Sequence, residues 1–155
     1  MKIIIRRLKF SDYNGVRLVD ELTQYQYLGE KWTKFSQAEK EKHLVSREKE
    51  FAINVKTGYS LVATMNHKTI GFLLAHETLP FPGSLYIHHI AIEPKFQGKG
   101  VGPLLYKKLI KLAKQAKIKN IVALINTDNP KSIKLHGKLG FKLQDRKEAI
   151  LEVKI

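Results

Sequence analysis

The chain has 155 residues, with 28 Lys and Arg against 14 Asp and Glu, a formal net charge of +14. That length fits one domain able to bury a core without staples, and a composition 43% hydrophobic and 27% charged argues against disorder. The absence of cysteine excludes disulfides, thiolate zinc sites, iron–sulfur clusters and a cysteine nucleophile, while the basic excess predicts attraction to phosphates, nucleic acid or acidic surfaces.

Residues 2–8 read as a strand, after which Ser11 and Asp12 offer N-caps to an amphipathic helix reaching about Gln24. The run before Arg6 and Arg7 is shorter than the roughly 7–15 apolar residues of a secretory signal. Runs 70–75 and 90–92 fall far below the roughly 18 of a membrane span. A cytoplasmic, reducing location without a membrane partner is therefore expected. Residues 25–35 are ambiguous, with Trp32 and Phe35 as loop or pocket-wall candidates. Ser36 with Glu39 forms a capping box that opens a second helix running to about Phe51.

The pattern then changes period. Residues 59–65 and 69–76 are apolar-rich runs joined by Asn66, His67 and Lys68, a hairpin pattern. Phe81, Pro82 and Gly83 make the next turn, residues 85–92 a third strand, and Pro94 ends it. A glycine-rich turn at 98–102 leads into a helix from about Pro103 to Ala116, and residues 118–125 form another strand. Asn129 caps a short helix with Pro130 at its first position, Gly140 stops it, and 141–143 and 149–153 read as closing strands. The predicted fold class is α/β, with a mixed α+β sheet in the order β-α-α-β-β-β-α-β-α-β-β, over one domain spanning 1–155.

The segment from Ile90 to Leu105 carries the chemistry: a strand, a glycine turn, then a helix start. Glycine lets backbone approach a ligand. The helix N-terminus offers unpaired N–H groups and the positive end of a dipole, an anion site reinforced by Lys95 and Lys99. Gly98 and Gly100 do not satisfy a mononucleotide P-loop. A dinucleotide fingerprint starting at Gly98 fails too, because its third glycine falls one position early, at Gly102, and the ribose-binding acid is missing.

Gln97, Gly100 and Gly102, after a strand ending Ile92-Glu93-Pro94, resemble the signature of the GNAT superfamily of acyl-CoA-dependent N-acyltransferases. The stretch from Asn129 through Ser132, Leu135, His136, Leu139 and Gly140 to Phe141 is similar to that superfamily's second motif, closest to the phosphinothricin-acetyltransferase-like branch. His136 stands there in place of the commoner tyrosine. The resemblance covers nearly the whole chain and implies a splayed central sheet. It implies that the backbone of Gln97, Gly98, Lys99, Gly100, Val101 and Gly102 cradles the pyrophosphate of acetyl-CoA, the co-substrate. Pantetheine would pair with backbone near Ile90, Ala91 and Ile92, and Asn129, Ser132 and His136 would line the far wall.

Acetyl transfer needs a free amine, a stabilised thioester oxygen and a proton for the leaving thiolate, but no metal. His88, on a strand and titrating near neutrality, is the candidate base. Its place nine positions before Gln97 resembles that of the base of the arylalkylamine acetyltransferases. Strand alternation groups Tyr86, His88, Ile90 and Ile92 on one face and Leu85, Ile87, His89 and Ala91 on the other, and a bulge would exchange His88 for His89. Glu77, Glu93 and water are lesser candidates. His136 is the candidate acid or sulfur contact, although imidazole, with an ordinary pKa of about 6.5, is a weaker proton reservoir at neutral pH than tyrosine at about 10. His43, His67 and His76 have no metal-like partners. Lys107, Lys108, Lys111, Lys114, Lys117 and Lys119 read as a solvated helix face that could also meet the adenosine 3′-phosphate or an acidic partner.

The expected activity is acetyl transfer to a primary amine of a small molecule or amino acid by direct attack in a ternary complex. Protein N-termini or lysines, and a non-catalytic acyl-CoA or acidic-partner module, stand as alternatives. Tyr25, Tyr27, Trp32, Phe35 and Phe81 suggest an aromatic acceptor wall. No RNA-recognition or helix-turn-helix signature points to a specific nucleic-acid partner, and a homodimer stays open.

Overall fold

In the computed structural model, which describes residues 2–78 and 83–151, strand β1 (Ile4–Arg7) opens the chain. It ends in a 3-10 turn, Phe10–Asp12. Asp12 does not cap the following helix through its side chain. Its carboxylate turns back instead, accepting from the Lys9 N–H at 2.8 Å and from both terminal nitrogens of Arg6 at 2.7 and 2.6 Å.

Helix α1 (Tyr13–Leu28) runs past the expected stop at Gln24, and α2 (Glu30–Lys34) resolves the ambiguous segment. The Ser36–Glu39 capping box forms as expected, with the Glu39 carboxylate accepting from the Ser36 N–H at 2.7 Å and Ser36 Oγ accepting from the Glu39 N–H at 3.3 Å. The helix that it starts is not continuous to Phe51. It breaks into α3 (Gln37–His43) and α4 (Glu48–Lys56), because residues 44–47 leave the helical region to bury Leu44 and Ser46.

The hairpin pairs β2 (Leu61–Met65) with β3 (Lys68–Glu77). Asn66 and His67, at φ 49° and 63°, form the left-handed pair of a two-residue turn whose twist suits the strands. β4 (Ser84–Ile92) follows, then a 3-10 turn at Pro94–Phe96, helix α5 (Val101–Gln115) and β5 (Asn120–Ala123). Phe81 and Pro82 of the expected turn lie outside the described residues.

The sheet order is β1-β2-β3-β4-β5, antiparallel except for the parallel β4–β5 pair. On one face Val62, Phe72, Leu74 and Ala91 meet Val16 and Val19 of α1 and Phe51 of α4. Leu61, Ala63 and Leu73 alternate to the opposite face, where α5 contributes Leu105 and Leu109. Fully burying a side chain of this size is worth about 1.5–3 kcal/mol, so the two apolar layers fix the sheet that carries β4.

The chain divides into two compact units, Met1–Leu124 and Ile125–Ile155. In the second, α6 (Pro130–Lys138) starts as the sequence predicts: Asn129 Oδ1 accepts from the Ser132 N–H at 3.1 Å and Pro130 takes the first turn. The closing strand at 141–143 does not form, and among the described residues after α6 there is no strand. Apolar alternation there lasts only from Phe141 to Leu143 before Gln144-Asp145-Arg146-Lys147-Glu148 interrupts it. Of the second expected strand, residues 149–151 are not in a strand and 152–153 lie outside the described residues.

Candidate active site

The site grows from an incomplete strand pair. β5 pairs with β4 only from Ser84 to Ile87, so residues 88–92 have no strand on that side among the described residues of their unit. The Glu93 N–H donates to the Ile70 carbonyl at 2.9 Å. By the alternation of an antiparallel ladder, Ala91 then turns its backbone to Phe72, while Ile90 and Ile92 turn theirs to the open edge. Of the three residues expected to meet pantetheine, Ile90 and Ile92 are thus oriented for it and the Ala91 backbone faces β3.

The Gln97 side chain seals the strand's exit. Its Nε2 donates to the Ile92 carbonyl at 3.0 Å and to Gln26 Oε1 at 2.8 Å, and Gln26 Nε2 donates back to Gln97 Oε1 at 3.2 Å. Gln97 therefore ties the turn to the last stretch of α1.

Beyond it, Gly98 and Gly100 have φ of 73° and 81°, a region that side-chain-bearing residues rarely enter. A Cβ added at either would meet nothing within 4 Å. Gly100 is the N-cap of α5, and the first helical bond runs from the Leu104 N–H to the Gly100 carbonyl at 3.2 Å. The N–H groups of Val101 and Gly102 consequently have no partner within the helix, and Pro103 has none to give. Lys99 lies over the Phe96 ring at 5.5 Å, and Lys95 pairs with Glu93 at 2.7 Å. Room at two glycines, unpaired amides, a helix dipole and a nearby cation together fit a pyrophosphate.

Register corrects the expected facing of β4. Leu74 pairs with His89 but Ala75 pairs with Ile87, so His88 is the extra residue of a β-bulge. The His76 ring meets Tyr86 edge-on at 5.5 Å, and the Phe72 ring stacks on His89 at 5.8 Å. Tyr86, His89 and Ala91 therefore share the α1 face, whereas Leu85 and Ile87 group with Ile90 and Ile92. His88 itself is exposed and His89 half-buried. Even so, enough protein surrounds His88 that desolvation pushes its pKa below the ordinary histidine value, and the charges of His76 and Arg47 push the same way. Desolvation also lowers His89, against the attraction of Asp20.

In the second unit His136 is buried, with its ring edge-on to Phe141 at 4.9 Å. Its Nδ1 lies 2.8 Å from the Ser132 carbonyl, which can only accept. A neutral His136 thus carries its proton on Nδ1, and donation from Nε2 calls for the imidazolium.

Among the remaining candidates, Tyr25 and Tyr27 are exposed, Trp32 is buried, Phe35 is half-buried and stacks on His43 at 5.1 Å, and Phe81 is outside the described residues. Lys107, Lys111, Lys114, Lys117 and Lys119 are exposed and Lys108 half-buried. Among the described residues no group of three or more His, Cys, Asp or Glu is placed to hold a metal, and no helix is long and apolar enough to cross a membrane. Sequence reading passed over Arg47, the N-cap of α4, and Asp20 of α1, whose charges act on His88 and His89 respectively. The His88-His89 doublet signals the bulge, since two polar residues in succession break the alternation of a half-buried strand, but nothing in the sequence marks Arg47 or Asp20.

The profile of the acetyltransferase (GNAT) family matches residues 20–141. The chain belongs to this family of acyltransferases. The L-methionine sulfoximine/L-methionine sulfone acetyltransferase of Salmonella typhimurium is 35% identical over 83 residues, which cover 52% of this chain and 48% of that protein. The L-2,4-diaminobutyric acid acetyltransferase of Nocardia farcinica is 26% identical over 76 residues, covering 49% and 39%. The matched stretch thus spans about half or less of these two relatives' length. The PaiA N-acetyltransferase of Thermoplasma acidophilum, solved in complex with coenzyme A, superimposes with a TM-score of 0.80 at 18% identity, covering 95% of this chain and 94% of that one. The aminoglycoside acetyltransferase AAC(6')-Iy, bound to a coenzyme A bisubstrate analog, gives 0.75 at 16% identity, covering 99% and 100%. This GNAT chain shares their fold.

Proposed function

We propose that residues 1–155 act as one acetyl-CoA-dependent N-acetyltransferase that moves an acetyl group to the primary amine of a small molecule or amino acid by direct attack in a ternary complex. The observation that carries this reading is the unpaired stretch 88–92 of β4 running straight into the glycine turn and the α5 N-terminus. Acetyl-CoA supplies the activated acetyl thioester. The outward N–H and C=O groups of Ile90 and the N–H of Ile92 serve as the pantetheine edge. The amides around Gly98, Gly100, Val101 and Gly102, with Lys99, hold the pyrophosphate, and Gln97 keeps the turn in register.

His88 accepts the proton that an ammonium must lose before its nitrogen can attack. Its depressed pKa keeps the ring neutral at pH 7, as a base requires. The Salmonella and Nocardia relatives are named for amino-acid acceptors, which supports a small amine substrate. Incubation with acetyl-CoA and a panel of amines, read as release of free thiol, tests the reading. Thiol release that stays at the acetyl-CoA hydrolysis background with every amine would refute it.

A further inference from the structure

Two of the arginines of the first unit are tied into part-buried ion pairs. Arg6 grips Asp12, and Arg17 is held by Glu21 at 2.9 Å and by Glu41. Arg7 lines a groove of about 330 Å³ with Thr57, Gly58, Tyr59, Leu112 and Gln115. Arg47 differs from all three. It is 47% exposed, and its contact with Glu50, 3.1 Å from Nη2, is a surface pair three residues apart. Such pairs contribute about 0–1 kcal/mol, and this one uses a single nitrogen of a fork with five N–H donors.

Arg47 is also held in place. Its carbonyl accepts from the Phe51 N–H at 2.8 Å, one turn into α4. Phe51 packs with Phe72 and Ala91, and His89 stacks on Phe72. Arg47 therefore stands at the rim of the sheet face that carries the bulge, and its charge is felt at His88. The two residues before it are pinned by Asp20, a fully buried carboxylate on α1 whose Oδ2 accepts from the N–H groups of Val45 and Ser46, both at 2.9 Å. Asp20 Oδ1 has no hydrogen-bond partner. Burying a carboxylate is costly, and here one of its oxygens is spent on orienting the segment that presents Arg47.

We propose that Arg47, anchored through Asp20, binds the carboxylate of the acceptor, so that the preferred substrates are amino acids rather than simple amines. The inference rests on the acetyltransferase reading. An α-amino acid has its nitrogen and carboxylate two bonds apart. A guanidinium can grip the carboxylate with two parallel N–H bonds while the amine lies toward His88. The pairing also has an electrostatic effect on the base. His88 faces His76 from β3, Arg47 from α4 and its neighbour His89, which in turn feels Asp20 from α1. A carboxylate on Arg47 cancels one of the cationic influences on His88 and makes it a stronger base when the right acceptor arrives.

The test pairs L-α-amino acids with their decarboxylated amines, such as L-methionine with 3-(methylthio)propylamine and L-2,4-diaminobutyrate with 1,3-diaminopropane. The intact protein should favour the acid of a pair at least tenfold in kcat/KM. Arg47→Gln should collapse that preference to within about threefold, chiefly through a higher KM for the acid, and Arg47→Lys should keep part of it because one charge remains without the fork. Calorimetric titration of the amino acid into the protein should show the same order. Equal use of acid and amine by the unaltered protein, or an undiminished preference in Arg47→Gln, would overturn the assignment and leave the acetyltransferase reading intact. Thiol release that stays at the acetyl-CoA hydrolysis background with every acid and amine would overturn both.

Discussion

Replacing Gly100 separates two costs that a glycine turn usually confounds. Gly100 sits at φ 81°, ψ 4° and heads α5, and a Cβ there meets no atom within 4 Å. Within the chain, Gly100→Val therefore faces backbone strain without a clash. The left-handed region costs an ordinary L-residue about 1–2 kcal/mol, with a β-branched one at the upper end. A domain whose stability lies in the usual range of about 5–15 kcal/mol stays folded after that loss. Coenzyme binding carries the other cost, because the empty space beside the Cα is where backbone must approach the pyrophosphate. Losing even one good amide contact there should weaken affinity at least tenfold, about 1.4 kcal/mol. Urea denaturation measures the first cost and calorimetric titration with acetyl-CoA the second. Gly98→Ala, at φ 73° with equally open surroundings, provides a milder replicate. Loss of stability with unchanged acetyl-CoA affinity in both variants would refute the reasoning and move the phosphate site elsewhere.

His88→Ala should lower kcat about 10²–10⁴-fold while acetyl-CoA affinity holds, and the deficit should shrink as pH rises and the amine loses its proton unaided. The pKa of His88 is depressed, so protonation should cut wild-type activity only below the ordinary histidine range, and an acid limb above that range in a pH–rate profile would count against this base. His136→Phe should lose rate and His136→Tyr should lose less; equal rates in Phe, Tyr and wild type, measured by thiol release, would mean that position 136 only packs. Asp20→Ala strands the N–H groups of Val45 and Ser46 and should lower unfolding free energy by about 2–4 kcal/mol, whereas Asp20→Asn keeps an accepting oxygen and should cost less than half as much in urea denaturation.

Local signals in the sequence led to correct structure where their chemistry was self-contained. Ser36 with Glu39, Asn129 before Pro130, and the turn at Asn66 and His67 each satisfy their hydrogen bonds or dihedrals within a few residues. Sequence reading failed where a distant partner decides. The expected helix through Phe51 breaks because Asp20, on another helix, offers a better acceptor to Val45 and Ser46 than helix continuation does. Asp12 abandons its forward cap for Arg6 and the Lys9 N–H. Around the candidate site, the strand, the glycine turn and the helix start were legible because the left-handed φ at Gly98 and Gly100 demands glycine. The facing of His88 was not, since a bulge is a property of the β3–β4 pairing, and no single strand encodes it. Arg47 was silent for the same reason: nothing near it in sequence distinguishes it from the other basic residues of a lysine-rich chain.

The unpaired side of β4 bears on how this chain behaves in a crowded solution. Five residues of strand with no neighbour on one side, among the described residues of their unit, are a template on which another molecule's strand can add, the usual beginning of edge-to-edge aggregation. Natural sheets guard such stretches with irregularity and polar side chains, and the bulge at His88 provides both, kinking the strand where β5 departs and setting an exposed imidazole at that point. The open edge is then receptive to a slender amide-bearing ligand and inhospitable to a flat strand. A ligand that pairs with it also removes the hazard, so by mass action the liganded chain should be both harder to melt and slower to aggregate than the free one.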